Sequence, residues 1–245
     1  MLFMYYTSIL SKDGFGAQYQ RIISTYIYCN MNNIPFAYSS FNYIEHNYNN
    51  DTHFNNKIER LINLENEIVN AKDIQNVREL DFGKIVLPFF EKNIDLCCSS
   101  IYMDNIKKLY WKNKNKNYYN NNKFNIAIHI RRENLHDYGN AGERVTTPNN
   151  HYLNTISVIR QKHTDKDLEF HIYSQGKLDN FTEFVNNDTL LHINDDLIET
   201  FMGMVAANCL VTSKSSLSYV AGLISDGEIY YTRFWHGPKK NWIVI

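Results

Sequence analysis

Residues Lys123–Asn134 read K-F-N-I-A-I-H-I-R-R-E-N. Phe124, Ile126, Ile128 and Ile130 alternate around Ala127, the pattern of a strand inside a sheet covered on both faces. The strand runs out into His129, Arg131 and Arg132, so an apolar element delivers a cluster of donors to the carboxyl end of a sheet. Open α/β sheets bind their ligands at that edge. The planar fork of arginine suits phosphate or carboxylate, and two arginines beside a histidine suit a diphosphate. The plainer alternative is a strand end whose arginines pair with surface acids.

The rest of the chain is consistent with such a sheet. Its 245 residues suffice for a well-buried core and two modest lobes. An apolar content of 44% excludes bulk disorder, and a net charge of -1 offers no general attraction to nucleic acid or anionic lipid. Any anion must therefore be held by a local cluster. Cys29, Cys97, Cys98 and Cys209 lack metal-site spacing and do not form a disulfide pattern, which suggests a reducing compartment. The apolar start, M-L-F-M-Y-Y-T-S-I-L, has no basic leader and is too short to span a bilayer, so a soluble, cytoplasmic protein is expected. Asparagine, tyrosine and isoleucine are over-represented, as AT-rich coding tends to produce.

Along the chain, Leu2–Ser8 is expected to be a strand and the following D-G-F-G-A-Q turn the start of a helix. Gly14 and Gly16 permit a tight turn there, and the helix end offers free N–H groups. A strand is expected over Ile34–Tyr38 and a surface loop over 42–56. A helix capped by Asp51 or Thr52 should run to about Ala71, with a short strand at Lys84–Leu87 and mixed helix from Phe89 to Trp111. Residues 112–123, K-N-K-N-K-N-Y-Y-N-N-N-K, are polar and low in complexity and are expected to be a solvated linker between an amino-terminal α/β lobe, 1–111, and a second lobe, 124–245. In that second lobe strands and helices alternate. Helix starts behind Thr146 or Thr147 at Pro148; strands are expected at 168–174, 190–193, 209–213 and 228–231, with helices at 181–185, 196–207 and 215–224. Repeated β-α-β order argues a parallel, doubly wound sheet.

Three strand ends of this lobe are polar: His129, Arg131 and Arg132; Ser174 and Gln175; and Thr212, Ser213, Ser215 and Ser216. A parallel sheet brings all three to one edge. The segment T-S-K-S-S-L-S places hydroxyls at a helix amino terminus, where phosphate binding and simple helix capping use the same donors.

Three segments, D-G-F-G-A-Q, H-I-R-R-E-N and S-K-S-S-L-S-Y, together resemble the fucosyltransferase superfamily that includes α-1,2-, α-1,6- and protein O-fucosyltransferases. The family pattern is a glycine-rich F-G-N-Q loop, an H-x-R-R-G-D motif gripping the diphosphate of GDP-fucose, and a late serine-rich segment. The resemblance implies a two-lobed GT-B-like glycosyltransferase with a Rossmann-like carboxyl-terminal lobe and a reduced amino-terminal α/β lobe, the donor lying in the cleft. It implies transfer with inversion, no metal and no cofactor beyond the nucleotide-sugar, with arginines neutralising the leaving charge. Arg131, Arg132 and Glu133 form the expected catalytic set. The expected donor contacts are Gly14, Gly16, Gln18, His129, Arg131, Arg132, Ser174, Glu199, Ser213, Ser215 and Ser216. The chain departs from the pattern at Ala17, at Glu133 and Asn134, and at the strand end Y-S-Q-G, which removes an aspartate otherwise suited to act as base. Asp13, Glu133 and Glu143 are the remaining loop candidates. Alternatives are another GDP- or UDP-sugar, a non-catalytic nucleotide- or glycan-binding module, or nucleic-acid binding by the Lys-, Tyr- and Asn-rich linker. Near-neutral charge weighs against the last.

Overall fold

The computed structural model describes residues 4–47, 50–132 and 146–245. The chain divides into two compact units, Met1–Lys114 and Asn115–Ile245.

In the first unit, β1 (Tyr5–Ser8) pairs in parallel with β2 (Val77–Leu80), Tyr5 opposite Val77. Helix α1 (Phe15–Met31) buries Tyr19, Ile22, Ile23 and Ile27 completely. The expected strand at 34–38 is reduced to single-residue pairings, Phe36 with Tyr6 and Tyr38 with Asn70. Helix α2 (Phe54–Ile62) stops well short of Ala71. Neither Asp51 nor Thr52 caps it; His53 holds that place. It stops because Asn63 turns left-handed, at φ 56°, and its side-chain amide donates to the carbonyls of Leu109 and Lys112 at 3.1 and 3.0 Å. The expected strand at 84–87 is helical instead. The Asp81 carboxylate accepts from the Lys84 N–H at 3.0 Å and starts a wide π turn over 82–86 that runs into α3 (Leu87–Lys92), whose first turn accommodates Pro88. Helices α4 (Ile94–Cys98) and α5 (Ile101–Trp111) follow, the second capped by Ser100.

The second unit is a six-stranded sheet built from β3 (Phe124–Ile130), β4 (Leu168–Ser174), β5 (Thr189–Ile193), β6 (Cys209–Val211), β7 (Glu228–Tyr231) and β8 (Ile243–Val244). Every neighbouring pair is parallel, and the order across the sheet is β5-β4-β3-β6-β7-β8. Counted from β3 as the first strand this is 3-2-1-4-5-6, the order of a dinucleotide-binding fold. The chain leaves β3 toward β4 on one side and later returns to β6 on the other, so the strand order reverses between β3 and β6. Ile126, Ile128 and Ile130 enter one core face with Phe170, Ile172 and Val211, under α6 (Asn149–Lys162) and a 3-10 helix over Leu178–Phe184. Pro148 itself occupies the position before α6, and neither Thr146 nor Thr147 caps it.

On the opposite face lie α7 (Leu197–Ala206) and α8 (Ser216–Ile224). Here the end of the polar segment 112–123, much of which is exposed, is tied down by side-chain bonds. Tyr119 donates to the Gly203 carbonyl at 2.8 Å, Tyr118 donates to Glu199 at 2.8 Å, and Lys123 pairs with Glu169 at 2.7 Å. The same face carries a hydrogen-bonded chain from Asn125 through His171 and His192 to Asp195, at 3.2, 3.1 and 3.0 Å. Burial, followed by the charge of His192, pushes His171 down to about 4.

Turns outside these elements rely on asparagine. Of seven described non-glycine residues with positive φ, six are asparagines: Asn33, Asn50, Asn63, Asn113, Asn120 and Asn194. Gly176, at φ 126°, is the one described glycine there.

Close packing of α7 makes a specific demand at Gly203. A Cβ there would collide with the Tyr173 hydroxyl and stand 2.6 Å from its Cζ. Gly203→Ala is expected to cost about 1–3 kcal/mol in urea unfolding. Adding Tyr173→Phe should recover only part of that loss, because the ring carbon stays in the way.

Candidate functional site

The reversal point between β3 and β6 is spanned by one buried contact. Ile128 and Ile130 face the α6 core, so His129 points to the other side of the strand. Its Nδ1 meets the Ser213 Oγ at 2.8 Å, with both residues almost wholly buried. The Ser213 N–H donates to the Ser218 Oγ at 3.1 Å, which folds the loop after β6 onto the first turn of α8. The Ser215 Oγ accepts from the Leu217 N–H at 3.2 Å as the helix cap. Burial first, and the charge of Arg131 second, push His129 down to about 3, so the imidazole is neutral at physiological pH.

Alternation also separates the two arginines. Arg132 follows Ile130 onto the α6 side, where its Nη1 donates to the Thr147 carbonyl at 2.9 Å and its Nη2 donates to the Asn149 side chain. Its guanidinium lies 5.4 Å from the centre of the Phe181 ring, and burial lowers its pKa. Arg132 therefore ties the strand end to α6, and two of its five donors are spent on protein. Arg131 lies on the His129 side. Adjacent positions of an extended chain point to opposite faces, so the pair does not form a single two-armed grip.

Ser174 is also committed: its hydroxyl donates to the Ile130 carbonyl at 2.7 Å and locks β4 to the end of β3. Glu199 is an exposed carboxylate in the first turn of α7, held by Tyr118. What remains at the α8 amino terminus is Ser216, half-exposed at the first helical position, and Lys214, half-exposed beside it; among the described residues neither has a protein hydrogen-bond or ion-pair partner.

Lys214 has a neighbour that the sequence did not single out. His151, in the first turn of α6, is shifted down by burial and then by the Lys214 charge. Its Nε2 lies 3.0 Å from the Thr232 Oγ1, and Thr232 in turn donates to the Thr212 carbonyl at 2.6 Å. The only signal for His151 was its place in T-P-N-N-H-Y-L; Lys214 was visible inside T-S-K-S-S-L-S but lay between more conspicuous serines.

Gly14, Gly16 and Gln18 belong to the first unit. Gln18 is completely buried, and its amide donates to the carbonyls of Asp13 and Tyr43, both at 2.7 Å. It staples the loop 39–46 to the start of α1 rather than facing a ligand. Gly14 has an ordinary φ of -67°, so no left-handed turn calls for glycine there. A Cβ would instead stand 2.9 Å from the His46 ring. Gly16 is buried in the first turn of α1. The Asp13 carboxylate accepts from the Gly14 N–H at 2.8 Å. Glu133 and Glu143 lie outside the described residues.

Chemically, the edge between β3 and β6 carries groups of the kind that an anion cradle would need. It joins the free N–H groups and positive end of α8, the Ser216 hydroxyl, and the cations Lys214 and Arg131, at the place where open parallel sheets take phosphates. Among the described residues no three His, Cys, Asp or Glu side chains lie close enough to hold a metal ion. No described helix is long and apolar enough to cross a membrane.

No protein-family model and no curated protein matches the sequence. Among solved structures the chain is similar to POFUT1 in complex with GDP, at 12% identity and a TM-score of 0.45, covering 92% of this chain and 95% of that one. It is also similar to the NodZ alpha-1,6-fucosyltransferase co-crystallised with GDP, at 8% identity and a TM-score of 0.45, covering 92% and 93%.

The neutral His129 makes a pH-dependent contribution whose sign is defined. Unfolded, a histidine takes up a proton near pH 6.5; in the fold His129 does so only near 3. Between those values the unfolded chain binds more protons, so the contribution is intact above pH 6.5 and erodes as pH falls, levelling off near 3. His129→Asn is therefore expected to destabilise most at pH 7, and the gap from the parent protein in urea unfolding should narrow steadily toward pH 4.

Proposed function

We propose that the chain is a glycosyltransferase that takes a fucosyl group from GDP-fucose and transfers it, with inversion and without a metal ion, to a hydroxyl of a glycan. The observation that carries this reading is the anion cradle at the β3–β6 reversal point. An uncommitted lysine and serine and a helix amino terminus meet there at a sheet edge suited to a diphosphate. The three ordered motifs narrow it to fucosyl transfer. A small α/β unit followed by a Rossmann-like unit suits the GT-B-like plan.

In this reading the acceptor oxygen attacks the anomeric carbon of the donor as the bond to the diphosphate oxygen breaks. The hydroxyl proton passes to a carboxylate, for which Glu133 and Glu143 are the candidates. Negative charge grows on the leaving diphosphate, and in this reading Arg131, Lys214, the Ser216 hydroxyl and the amino terminus of α8 stabilise it. His129 and Ser213 keep the serine loop in shape, and Arg132 keeps the strand end against α6; neither is assigned a reacting atom. A second reading, a nucleotide- or glycan-binding module without turnover, is favoured by the commitment of Arg132 and Ser174 to protein partners.

Thermal unfolding with GDP, GDP-fucose, UDP and UDP-glucose, paired with a transfer assay on mixed glycans, separates these readings. Guanosine ligands at 100 times their Kd are expected to raise Tm by about 5–10 °C. Arg131→Ala and Lys214→Ala should each weaken GDP by about tenfold or more, the loss of a charge-assisted contact. Arg132→Ala should instead lower Tm without ligand. Stabilisation by uridine ligands alone would overturn the fucose assignment, GDP binding without transfer would select the module, and indifference to all four nucleotides would overturn the donor site.

A further inference from the structure

The loop after β7 has a feature that the anion cradle does not use. Trp235 is 63% exposed, the most exposed aromatic side chain among the described residues, whereas Trp242 is buried. It lies against Phe234, the ring centres 3.7 Å apart and the planes tilted by 31°. A tryptophan left in water on a loose loop would mean little, but this loop is firmly built. The Thr232 N–H donates to the Thr212 Oγ1 at 3.1 Å, Tyr231 donates to the His236 carbonyl, and Tyr219 donates to the Gly237 carbonyl at 3.0 Å. The His236 ring packs 4.9 Å from that of Tyr219. The threonine pair thus holds the backbone before Trp235, and two buried tyrosines hold the carbonyls after it, while its indole stays outside as a preorganised surface.

Its position and charge indicate what such a surface is for. The loop leaves the carboxyl end of β7, on the same sheet edge as the cradle, and Thr232 at its root is bonded to Thr212, next to Ser213. From Ile229 to Ile245 the sequence has no aspartate or glutamate but includes Arg233, Lys239 and Lys240, in a chain whose net charge is -1. Arg233 is exposed and Lys239 half-exposed, and among the described residues neither has a protein hydrogen bond or ion pair. The His236 and Gly237 carbonyls are already occupied by tyrosine hydroxyls. The loop therefore offers an aromatic face and accessible cations rather than a fixed set of donors and acceptors that could read the edge of a base.

We propose that Trp235, backed by Phe234, is a subsite for a pyranose ring of an acidic glycan, whose C–H face stacks on the indole while its carboxylate or sulfate groups pair with Arg233 and Lys239. This rests on the glycosyltransferase reading and names its acceptor class: a polyanionic oligosaccharide bound beside the donor.

Calorimetric titration of the full chain with hyaluronan and heparin hexasaccharides, neutral chitohexaose and an eight-residue oligothymidylate tests it, with GDP titrated in parallel. At least one acidic hexasaccharide should bind and chitohexaose should bind at least tenfold more weakly. Affinity for the acid should fall with added salt, and by tenfold or more in Trp235→Ala and in the Arg233→Glu/Lys239→Glu pair, with GDP binding unchanged in both. Equal binding of neutral and acidic sugars, binding of the oligothymidylate alone, or no glycan binding would overturn the subsite. If GDP still binds in those cases, the acceptor proposal fails alone; if GDP binding is absent from the parent protein, the donor reading fails as well. Loss of GDP binding in Trp235→Ala would also overturn the proposal, since the platform would then serve the donor.

Discussion

The sheet edge depends on one uncharged contact, the hydrogen bond between His129 and Ser213 across the gap where strand order reverses. β3 and β6 are neighbours in the sheet but stand far apart in sequence, and each must end at the right height for α8 to start beside the β3 terminus. Backbone pairing takes the two strands only as far as Ile128 and Val211. Beyond that, His129, Ser213 and Ser218 continue the registration with side chains, inside a dry interior where neutral hydrogen bonds hold without the cost of burying charge. A protonated imidazole in that place would lie buried near Arg131, and this is why its pKa is displaced so far.

Two consequences follow for the polar residues around it. Charge at this edge is kept on the outer members, Arg131 and Lys214, while the inner members are neutral and satisfied by protein. A motif that looks like a unit in one dimension is thereby divided: His129 registers strands, and Arg132 turns away to secure α6. The same division runs through S-K-S-S-L-S, where Ser213, Ser215 and Ser218 shape the loop and Lys214 and Ser216 face outward.

Much of the second unit was legible because its signals are local. Strands of alternating or continuous apolar residues separated by helical spacing identify β3, β4, β5, β6 and β7, and the β-α-β repetition requires parallel pairing. Where the sequence misled, a distant partner decided the outcome. Lys84–Leu87 has strand composition, yet Asp81 and Pro88 make it helical; the α2 pattern continues past Ile62, yet the carbonyls at the end of α5 draw Asn63 out of it. Residues 112–123 are polar and mostly exposed, and composition did not show that Tyr118, Tyr119 and Lys123 find acceptors on α7 and β4. At the site, the three strand ends were correctly brought to one edge, while the commitments of Arg132, Ser174 and Gln18 depend on carbonyls that no sequence pattern displays. Strand β8 is two residues long, too short to carry a period, and β2 reads V-R-E-L, with two charged residues at its centre and no apolar alternation.

Asparagine in the left-handed turns has a thermodynamic side. A glycine at each of these corners would wander over twice the backbone space in the unfolded chain, and folding would have to remove that extra freedom. Asn33, Asn50, Asn63, Asn113, Asn120 and Asn194 reach the same conformation with a side chain that restricts the unfolded chain beforehand. At Asn63 and Asn194 that side chain also ties the corner to a distant segment, donating to the carbonyls of Leu109 and Gly176. A composition poor in glycine thus lowers the conformational entropy surrendered at each corner, and part of the stability of this fold resides in the disorder its unfolded state never had.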